Sequence, residues 1–306
     1  MNKHLFRIYI LIFTLAVFSD FLFNSPDAMS WPSQNAVLVR NFGANNNGKP
    51  VLGMVFSGGA NVTAAESGEV IFSRRAEDAQ TGFAASRLPS PLGAWAAIDH
   101  GDGLISIYSR YSEKSDQTGH MTEIEKEQLV AVSGISGWSS QEGFYFLIFD
   151  RRDRSWINPA MIITPMQETN PPQILSVELR DTQGNLQSRN ITQGRYIVFV
   201  NAAGGVRAAG GSPQVRFDAR QIAPQRITCL VNGAEVGSLN FEAVSARDGI
   251  LLVSRNGLVP VRQVYGMSPS FEAAEVFLAR GQVTLEVIVQ DINGASRSMI
   301  NRLIVN

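Results

Sequence analysis

Short runs of β-branched and aromatic residues, separated by turn-forming residues, limit most strongly how this chain can fold. The run at 283–289 (VTLEVIV) is typical, because most of its residues are β-branched and favour a strand. Asn-Gly turn signals lie at 232–233, 256–257 and 293–294. Glycine is abundant, with 27 residues, and helix-periodic stretches are scarce. The sequence therefore predicts an all-β protein with many turns.

The predicted strands form two groups, on either side of a proline-containing segment at 166–172 (MQETNPP). Two adjacent prolines remove backbone donors and favour an extended chain, so this segment is predicted to be a linker. After it, roughly seven strands with frequent turns predict an immunoglobulin-like β-sandwich over 173–306. The predicted strands are 62–65, 69–73, 95–99, 105–108, 129–132 and 144–149 before the linker, and 174–179, 195–200, 215–218, 226–231, 249–253 and 282–291 after it.

Charge and cysteine content exclude several kinds of partner and chemistry. The formal net charge is −1, so no global field draws the chain to nucleic acid, which is not predicted as a partner. The single cysteine, Cys229, cannot form an intramolecular disulfide. It lies in a strand-like run without an evident base nearby, so core packing is predicted rather than a nucleophilic role.

The N-terminus resembles a targeting segment. A basic start precedes an apolar run at 8–18, and 28–30 (AMS) offers a small-x-small cleavage pattern. The interpretation is a secretory signal over 1–30, with the mature chain beginning near Trp31. A retained anchor is the alternative, although the run is shorter than the roughly 20 residues that a comfortable membrane span needs.

Four segments follow one another in an order that is typical of one family. They are NVTAAESGEVIF (61–72), WAAIDHGDGLISIYSRYS (95–112), EQLVAVSGISGWSS (127–140) and GFYFLIFDRRDRSWINP (143–159). Together they resemble the LytM/lysostaphin family of murein metalloendopeptidases. The resemblance implies a small double-sheet, β-barrel-like domain with a duplicated hybrid motif over 51–165, preceded by an N-terminal extension at 31–50.

The resemblance also places the family's zinc and catalytic residues on this chain, and there the side chains differ. The His-x-x-x-Asp zinc motif falls on Val51 and Val55, and the third zinc ligand falls on Tyr145. The two catalytic histidines fall on Arg110 and Gly143. Zinc hydrolysis needs nitrogen, sulfur or carboxylate donors, and a guanidinium stays charged near neutrality. No metal site, catalytic residue or cofactor is therefore predicted.

A binding role for the former groove is a separate hypothesis. Tyr108, Arg110 and Tyr145 are the candidates for contacts in such a groove. His100 lies in a turn with Asp99 and Asp102. It is interpreted as a turn residue bonded to its own backbone, because three side chains on one tight turn rarely converge on one ion. His120 is interpreted as a solvated loop residue, and the glycine-rich stretch 201–211 as a flexible loop.

The family resemblance, combined with the absence of the family's zinc ligands and catalytic histidines, implies a non-catalytic, LytM-like protein. Such a protein would bind or regulate peptidoglycan hydrolases or bind peptidoglycan. It also implies export across the inner membrane to the periplasm or cell envelope, with no stable membrane span after signal cleavage. Two alternatives stay open. One is a murein metalloendopeptidase with an unorthodox site, and the other is a purely structural envelope component.

Overall fold

A computed structural model describes residues 28–74, 90–163, 171–187, 191–204 and 222–306 of the chain. These residues form an all-β structure with several antiparallel sheets, as the sequence predicts. In the first half, the strands are β1 (Val37–Arg40), β2 (Met54–Ser57), β3 (Asn61–Thr63), β4 (Gly68–Arg74), β5 (Ala94–Asp99), β6 (Leu104–Tyr111), β7 (Glu123–Ile124), β8 (Leu129–Val132), β9 (Gly143–Asp150) and β10 (Ser155–Ile157).

In the second half, the strands are β11 (Gln173–Asp181), β12 (Leu186–Gln187), β13 (Gly194–Ala203), β14 (Arg226–Val231), β15 (Ala234–Arg247), β16 (Ile250–Arg255), β17 (Leu258–Pro260), β18 (Phe271–Leu278), β19 (Gly281–Gln290) and β20 (Ser296–Val305). Short 3-10 helices occur at Glu113–Ser115, Thr118–His120, Pro159–Met161 and Val261–Gln263.

The first half is built around the pair β6–β9. The sheet continues from β6 through β5 and β4 to β7, and β2 and β10 share the opposite edge of β9. β3 and β8 form a separate two-stranded sheet. Strand alternation sends every second side chain to one face, where Phe144, Phe146 and Ile148 join a buried cluster with Phe56 and Tyr108. Burying one such side chain stabilises the fold by about 1.5–3 kcal/mol.

The second half is a two-layer sandwich. One layer has the order β12-β11-β13-β18, and the other contains β16, β15, β14, β19 and β20. Facing side chains such as Val198, Val276, Ile227 and Val287 are buried between the layers. Cys229 lies fully buried in the same cluster, where burial raises the pKa of its thiol to about 12.

Two connections join the halves. β10 pairs with β15 as well as with β9, so one sheet runs from the first half into the second. The stretch preceding β2 also packs against the second half: the Tyr265 hydroxyl donates to the Gly43 carbonyl oxygen at 2.9 Å, and the Asn45 side chain donates to the carbonyls of Gly266 and Ser268. Val51 is buried in the core of the second half.

Some sequence predictions fall outside the described residues. These are nearly all of the signal segment, most of the linker, the predicted strand at 215–218 and most of the glycine-rich loop. Within the part of the chain that the structure describes, no helix has the length and apolar character that crossing a bilayer requires.

Candidate functional site

Strand register brings four side-chain positions into one row across the sheet. Arg40 on β1 pairs with Val55 on β2, Val55 pairs with Tyr145 on β9, and Tyr145 pairs with Ser109 on β6. Directly opposed residues on neighbouring strands share a face. The row lies on the face of β6–β9 opposite to the first-half core. We call this face the groove face.

Arg110 follows Ser109 and interrupts the regular alternation of β6. Trp95 on β5 pairs with Ser109 and Ala94 pairs with Tyr111, so Arg110 is the extra residue of a β-bulge. Its φ is +64°, and among the described non-glycine residues with positive φ it is the one inside a strand. That backbone region costs roughly 1–3 kcal/mol for a residue with a side chain. The bulge re-aims Arg110 while Tyr111 returns to the core.

The side chains of Arg110 and Tyr145 contact each other. The Arg110 Cζ lies 5.0 Å from the centre of the Tyr145 ring, which is a cation–π arrangement. The Tyr145 hydroxyl accepts a hydrogen bond from the Leu52 N–H at 3.0 Å. Burial raises the pKa of Tyr145 to about 12, against the opposing influence of the Leu52 hydrogen bond and the Arg110 charge. Tyr145 therefore forms a fixed, neutral floor beneath the guanidinium.

The half-buried guanidinium of Arg110 has no anionic neighbour in the described residues. Its Nε is inaccessible to solvent and has no hydrogen-bond partner. Burial lowers the pKa of Arg110, and the charge of Arg40 lowers it further, while Tyr145 raises it. The group still stays cationic near neutrality. The groove face thus carries one half-buried guanidinium that no described anion neutralises.

The positions where the family resemblance expects zinc ligands are apolar or hydroxylated. Val51 is buried against the second half, and Val55 packs against the same core. Tyr145 opposes Val55 across the β2–β9 pair and offers one phenol oxygen, already bonded to Leu52. Among the described residues, no group of three or more His, Cys, Asp or Glu side chains could hold a metal ion.

Gly143, the position expected for a catalytic histidine, lies against the neighbouring strand. A Cβ atom added there would collide with the carbonyl oxygen of Phe56. The Gly143 N–H also donates to the Gly134 carbonyl oxygen at 3.0 Å, and the Gly143 carbonyl oxygen accepts from the Gly134 N–H at 2.9 Å. A histidine at this position would need β2 and β9 to move apart. Geometry as well as residue type therefore separates this site from the expected one.

Tyr108, the third residue predicted for the groove, lies on the other face. It is fully buried in the first-half core, with its ring centre 5.2 Å from that of Phe146. Its hydroxyl accepts a hydrogen bond from the Ala65 N–H at 2.7 Å and lies 3.2 Å from the Ser106 hydroxyl. Burial raises the pKa of Tyr108 to about 12. The structure brings Arg110 and Tyr145 together but not Tyr108.

The predicted turn histidine belongs to this buried network. His100 Nδ1 lies 2.8 Å from the Ser67 carbonyl oxygen, and Nε2 lies 2.7 Å from the Ser106 hydroxyl. A carbonyl oxygen only accepts, so Nδ1 donates. These contacts correct the expected bonding of His100 to its own turn. Asp99 instead pairs with Arg151 at 3.1 Å.

Of three further aromatic residues on or near β6 and β9, two are core residues and one is exposed. Tyr111 and Phe144 are buried, whereas Trp138 is 70% exposed. The backbone N–H groups of Arg110 and Trp138 donate to Leu92 and Pro91, at 2.8 and 3.3 Å. Arg110 and Trp138 are thus anchored to the same turn. Arg40 could have been suggested from the sequence by its charge at the end of an apolar strand, but only the register places it here.

Comparisons with known proteins were made for the whole chain. A protein-family model matches residues 171–306, which is less than half of the chain. No curated protein sequence matches it significantly. Solved structures resemble it, including a chain of the SpoIIQ–SpoIIIAH pore-forming complex, with 18% identity and a TM-score of 0.36 over 45% of this chain and 92% of that one.

Two further similar structures are described as peptidases. The catalytic domain of a mutant of the prophage-encoded M23 protein EnpA from Enterococcus faecalis has 18% identity and a TM-score of 0.33, over 45% of this chain and 92% of that one. Lysostaphin from Staphylococcus simulans, an antimicrobial peptidase, has 14% identity and a TM-score of 0.29, over 74% of this chain and 85% of that one. At these identities the likeness concerns the β-rich fold alone, and no activity or partner is transferred.

Proposed function

We propose that this chain is a non-catalytic, LytM-like protein of the cell envelope that binds peptidoglycan hydrolases or peptidoglycan itself. The groove face is the proposed contact surface, with Arg110 and Tyr145 at its centre. The proposal includes export by the N-terminal signal to the periplasm or cell envelope. It follows the ordered family landmarks of the first half, combined with side chains that cannot perform the family's reaction.

The observation that carries the proposal is the position of Gly143. A substituted residue alone could reflect a shifted alignment. Gly143, however, has no space for any side chain against the Phe56 carbonyl oxygen. Two residues further along the same strand pair, Val55 opposes Tyr145, so neither strand offers a strong zinc donor there. The backbone is fitted to a glycine, which favours recognition over hydrolysis.

The second half is proposed to add contact surface rather than chemistry. We retain the predicted division into a LytM-like domain at 51–165, a linker and an immunoglobulin-like sandwich at 173–306. The match of a family model to 171–306 supports a unit beginning there. The shared sheet at β10 and β15 implies that the two units act as one body, because their strands are hydrogen-bonded together.

Two measurements on the purified mature chain test the proposed function. The first is co-sedimentation with purified peptidoglycan, together with a pull-down from an envelope extract. Recovery of peptidoglycan or of a peptidoglycan hydrolase is expected. Recovery of neither would leave a purely structural envelope component as the better description.

The second measurement is elemental analysis with a hydrolysis assay on murein. We expect no stoichiometric zinc and no peptide release. Stoichiometric zinc, or peptide release that a chelator abolishes, would establish the alternative of a metalloendopeptidase with an unorthodox site. It would also disprove the non-catalytic assignment.

A further inference from the structure

Three arginines in the described part of the chain have a solvent-inaccessible Nε without a hydrogen-bond partner: Arg110, Arg180 and Arg226. Two of them satisfy a terminal nitrogen with a carboxylate. Arg180 donates to Glu178 at 2.8 Å, and Arg226 donates to Glu235 at 3.1 Å. Arg110 donates to no carboxylate that the structure describes. It is the incomplete member of the group.

Arg180 shows what a completed arrangement of this kind contains. Its Cζ lies 4.8 Å from the centre of the Phe199 ring, close to the 5.0 Å between Arg110 and Tyr145. Both guanidinium groups therefore stack on an aromatic ring supplied by a neighbouring strand. The Arg180 stack also contains the Glu178 carboxylate. The Arg110 stack has the cation and the ring, and it lacks the anion.

The surroundings of Arg110 increase the attraction for an anion. Arg40 stands two strands from Tyr145 in the same row, roughly 10 Å away between backbones, and adds a second positive charge. The bulge holds Arg110 at a φ of +64°, which is a costly conformation. The neighbouring residues of β6 do not have a positive φ. Strained residues of this kind cluster at ligand-binding sites.

We propose that Arg110 binds a carboxylate group of a peptide ligand, with Tyr145 as the stacking floor and Arg40 as a second, longer-range positive charge. This inference rests on the proposed function, because it names the ligand chemistry of the same groove face. A carboxylate would complete at Arg110 the arrangement that Glu178 completes at Arg180. Arg110 is a binding residue in this arrangement, and no bond is formed or broken.

A carboxylate fits this site better than a phosphate group. Because the Nε of Arg110 is inaccessible to solvent, a ligand would use the two terminal nitrogens, whose fork a planar carboxylate can meet with two parallel hydrogen bonds. A phosphate group can also accept from such a fork, but its charge of about −1.5 to −2 exceeds what one guanidinium neutralises. Arg110 has no anionic partner among the described residues, so a single negative charge matches its guanidinium.

The test uses the mature chain and two matched probes, an N-acetylated alanyl-alanine dipeptide with a free C-terminal carboxylate and the same dipeptide as its C-terminal amide. Binding is followed by NMR through the Nε–H resonance of Arg110 and the backbone amides of β6 and β9. The free acid is expected to shift these resonances, and the amide to bind at least about tenfold more weakly. Inorganic phosphate is expected to bind more weakly than the acid, and added salt to weaken the acid's binding.

Three variants define the residues involved. Arg110→Gln is expected to reduce affinity for the acid by about tenfold or more, and Arg110→Lys by less, because it keeps the charge but loses the fork. Arg180→Gln is the matched control, since that arginine stacks on a ring but is already paired. It should leave affinity unchanged. Thermal unfolding of each variant verifies that it is folded.

Equal binding of acid and amide, tighter binding of phosphate, or unchanged affinity in a folded Arg110→Gln variant would each overturn the inference. The result is separable from the proposed function. If peptidoglycan or a hydrolase is still captured equally by Arg110→Gln, the function stands and the carboxylate site fails. If the acid binds through Arg110 but neither envelope partner is captured, the site stands and the proposed function fails.

Discussion

The two faces of the β6–β9 pair differ in what their polar side chains contact. On the core face, the Tyr108 hydroxyl accepts from Ala65 and lies beside Ser106, which in turn contacts His100. On the groove face, Arg110 holds a strained backbone and an Nε without a partner. The same two strands thus carry a hydrogen-bonded network on one side and, on the other, a half-buried cation without an anion among the described residues.

In our proposal, this difference separates the groups that stabilise the region from the group that contacts a ligand. Buried polar groups that are fully hydrogen-bonded make the fold specific and rigid. A half-buried cation without an anion among the described residues contributes little to stability, and in our proposal it is the group that the ligand contacts. We therefore expect substitutions on the core face to change the free energy of unfolding. Substitutions at Arg110 should change binding instead.

The largest effect on stability is expected at Gly143, where β2 and β9 approach each other closely. Gly143→Ala should destabilise the chain by about 3 kcal/mol or more, because the new Cβ meets the Phe56 carbonyl oxygen, which cannot move alone. Urea unfolding measures the change. Gly194→Ala is the control, since a Cβ there meets only the edge of the Tyr196 ring at 4.0 Å. Equal stability of the two variants would remove the argument that Gly143 cannot carry a histidine.

A smaller effect is expected from removing one tyrosine hydroxyl on each face. Tyr108→Phe leaves the buried Ala65 N–H without an acceptor and should cost about 1–3 kcal/mol. Tyr145→Phe removes the acceptor of the Leu52 N–H, which is only half-buried, so water can replace it at about 1 kcal/mol or less. Midpoints of urea unfolding compare the two variants. A greater loss for Tyr145→Phe would reverse the distinction between the faces.

Sequence patterns predicted the class of the fold and many strands, because β-branched runs and glycine turns act locally. β4, β5, β6, β8 and β9 all lie where alternation indicates them. β18 (FEAAEVFL) gave no strand signal, because its alanine and glutamate residues are weak strand formers. Its strand conformation comes from pairing with β13. Such pairing depends on residues distant in sequence.

The residues of the candidate site could be proposed from the sequence, but their arrangement could not. The resemblance identified Arg110 and Tyr145, and the structure places them in contact. The same prediction included Tyr108, which lies in the core. Regular strand alternation holds up to Tyr108, because the bulge at Arg110 comes after it. Arg40 joins the row through the register of β1 with β2, which a single sequence does not reveal. Bulges and register therefore account for the difference.

Arg110→Gly tests whether the groove face is optimised for stability. Glycine adopts a φ of +64° without strain, so the substitution removes a backbone cost. This gain in unfolding free energy offsets two losses, the contact with Tyr145 and the greater conformational entropy of the unfolded chain. Stability should stay within about 1 kcal/mol of wild type. Arg180→Gly is the matched control, because that arginine stacks similarly but is paired with Glu178 and has no positive φ. It should lose more stability. A larger loss at Arg110 would identify it as a structural residue.

The smallest effect is expected in the pH dependence of the core-face network. Burial holds the pKa of His100 below its usual value, so the unfolded chain takes up the proton first as the pH falls. The stability that the neutral imidazole contributes is present above the unfolded pKa of about 6.5 and is lost as the pH falls toward the lower folded pKa. Between about pH 7.5 and 5.5, wild type should therefore lose more unfolding free energy than His100→Gln, whose amide does not titrate. Carboxylates of lowered pKa, such as Asp150, titrate in both proteins and cancel in the difference. Parallel pH profiles would mean that folding does not change the pKa of His100, and the contrast between the two faces would then be confined to Arg110.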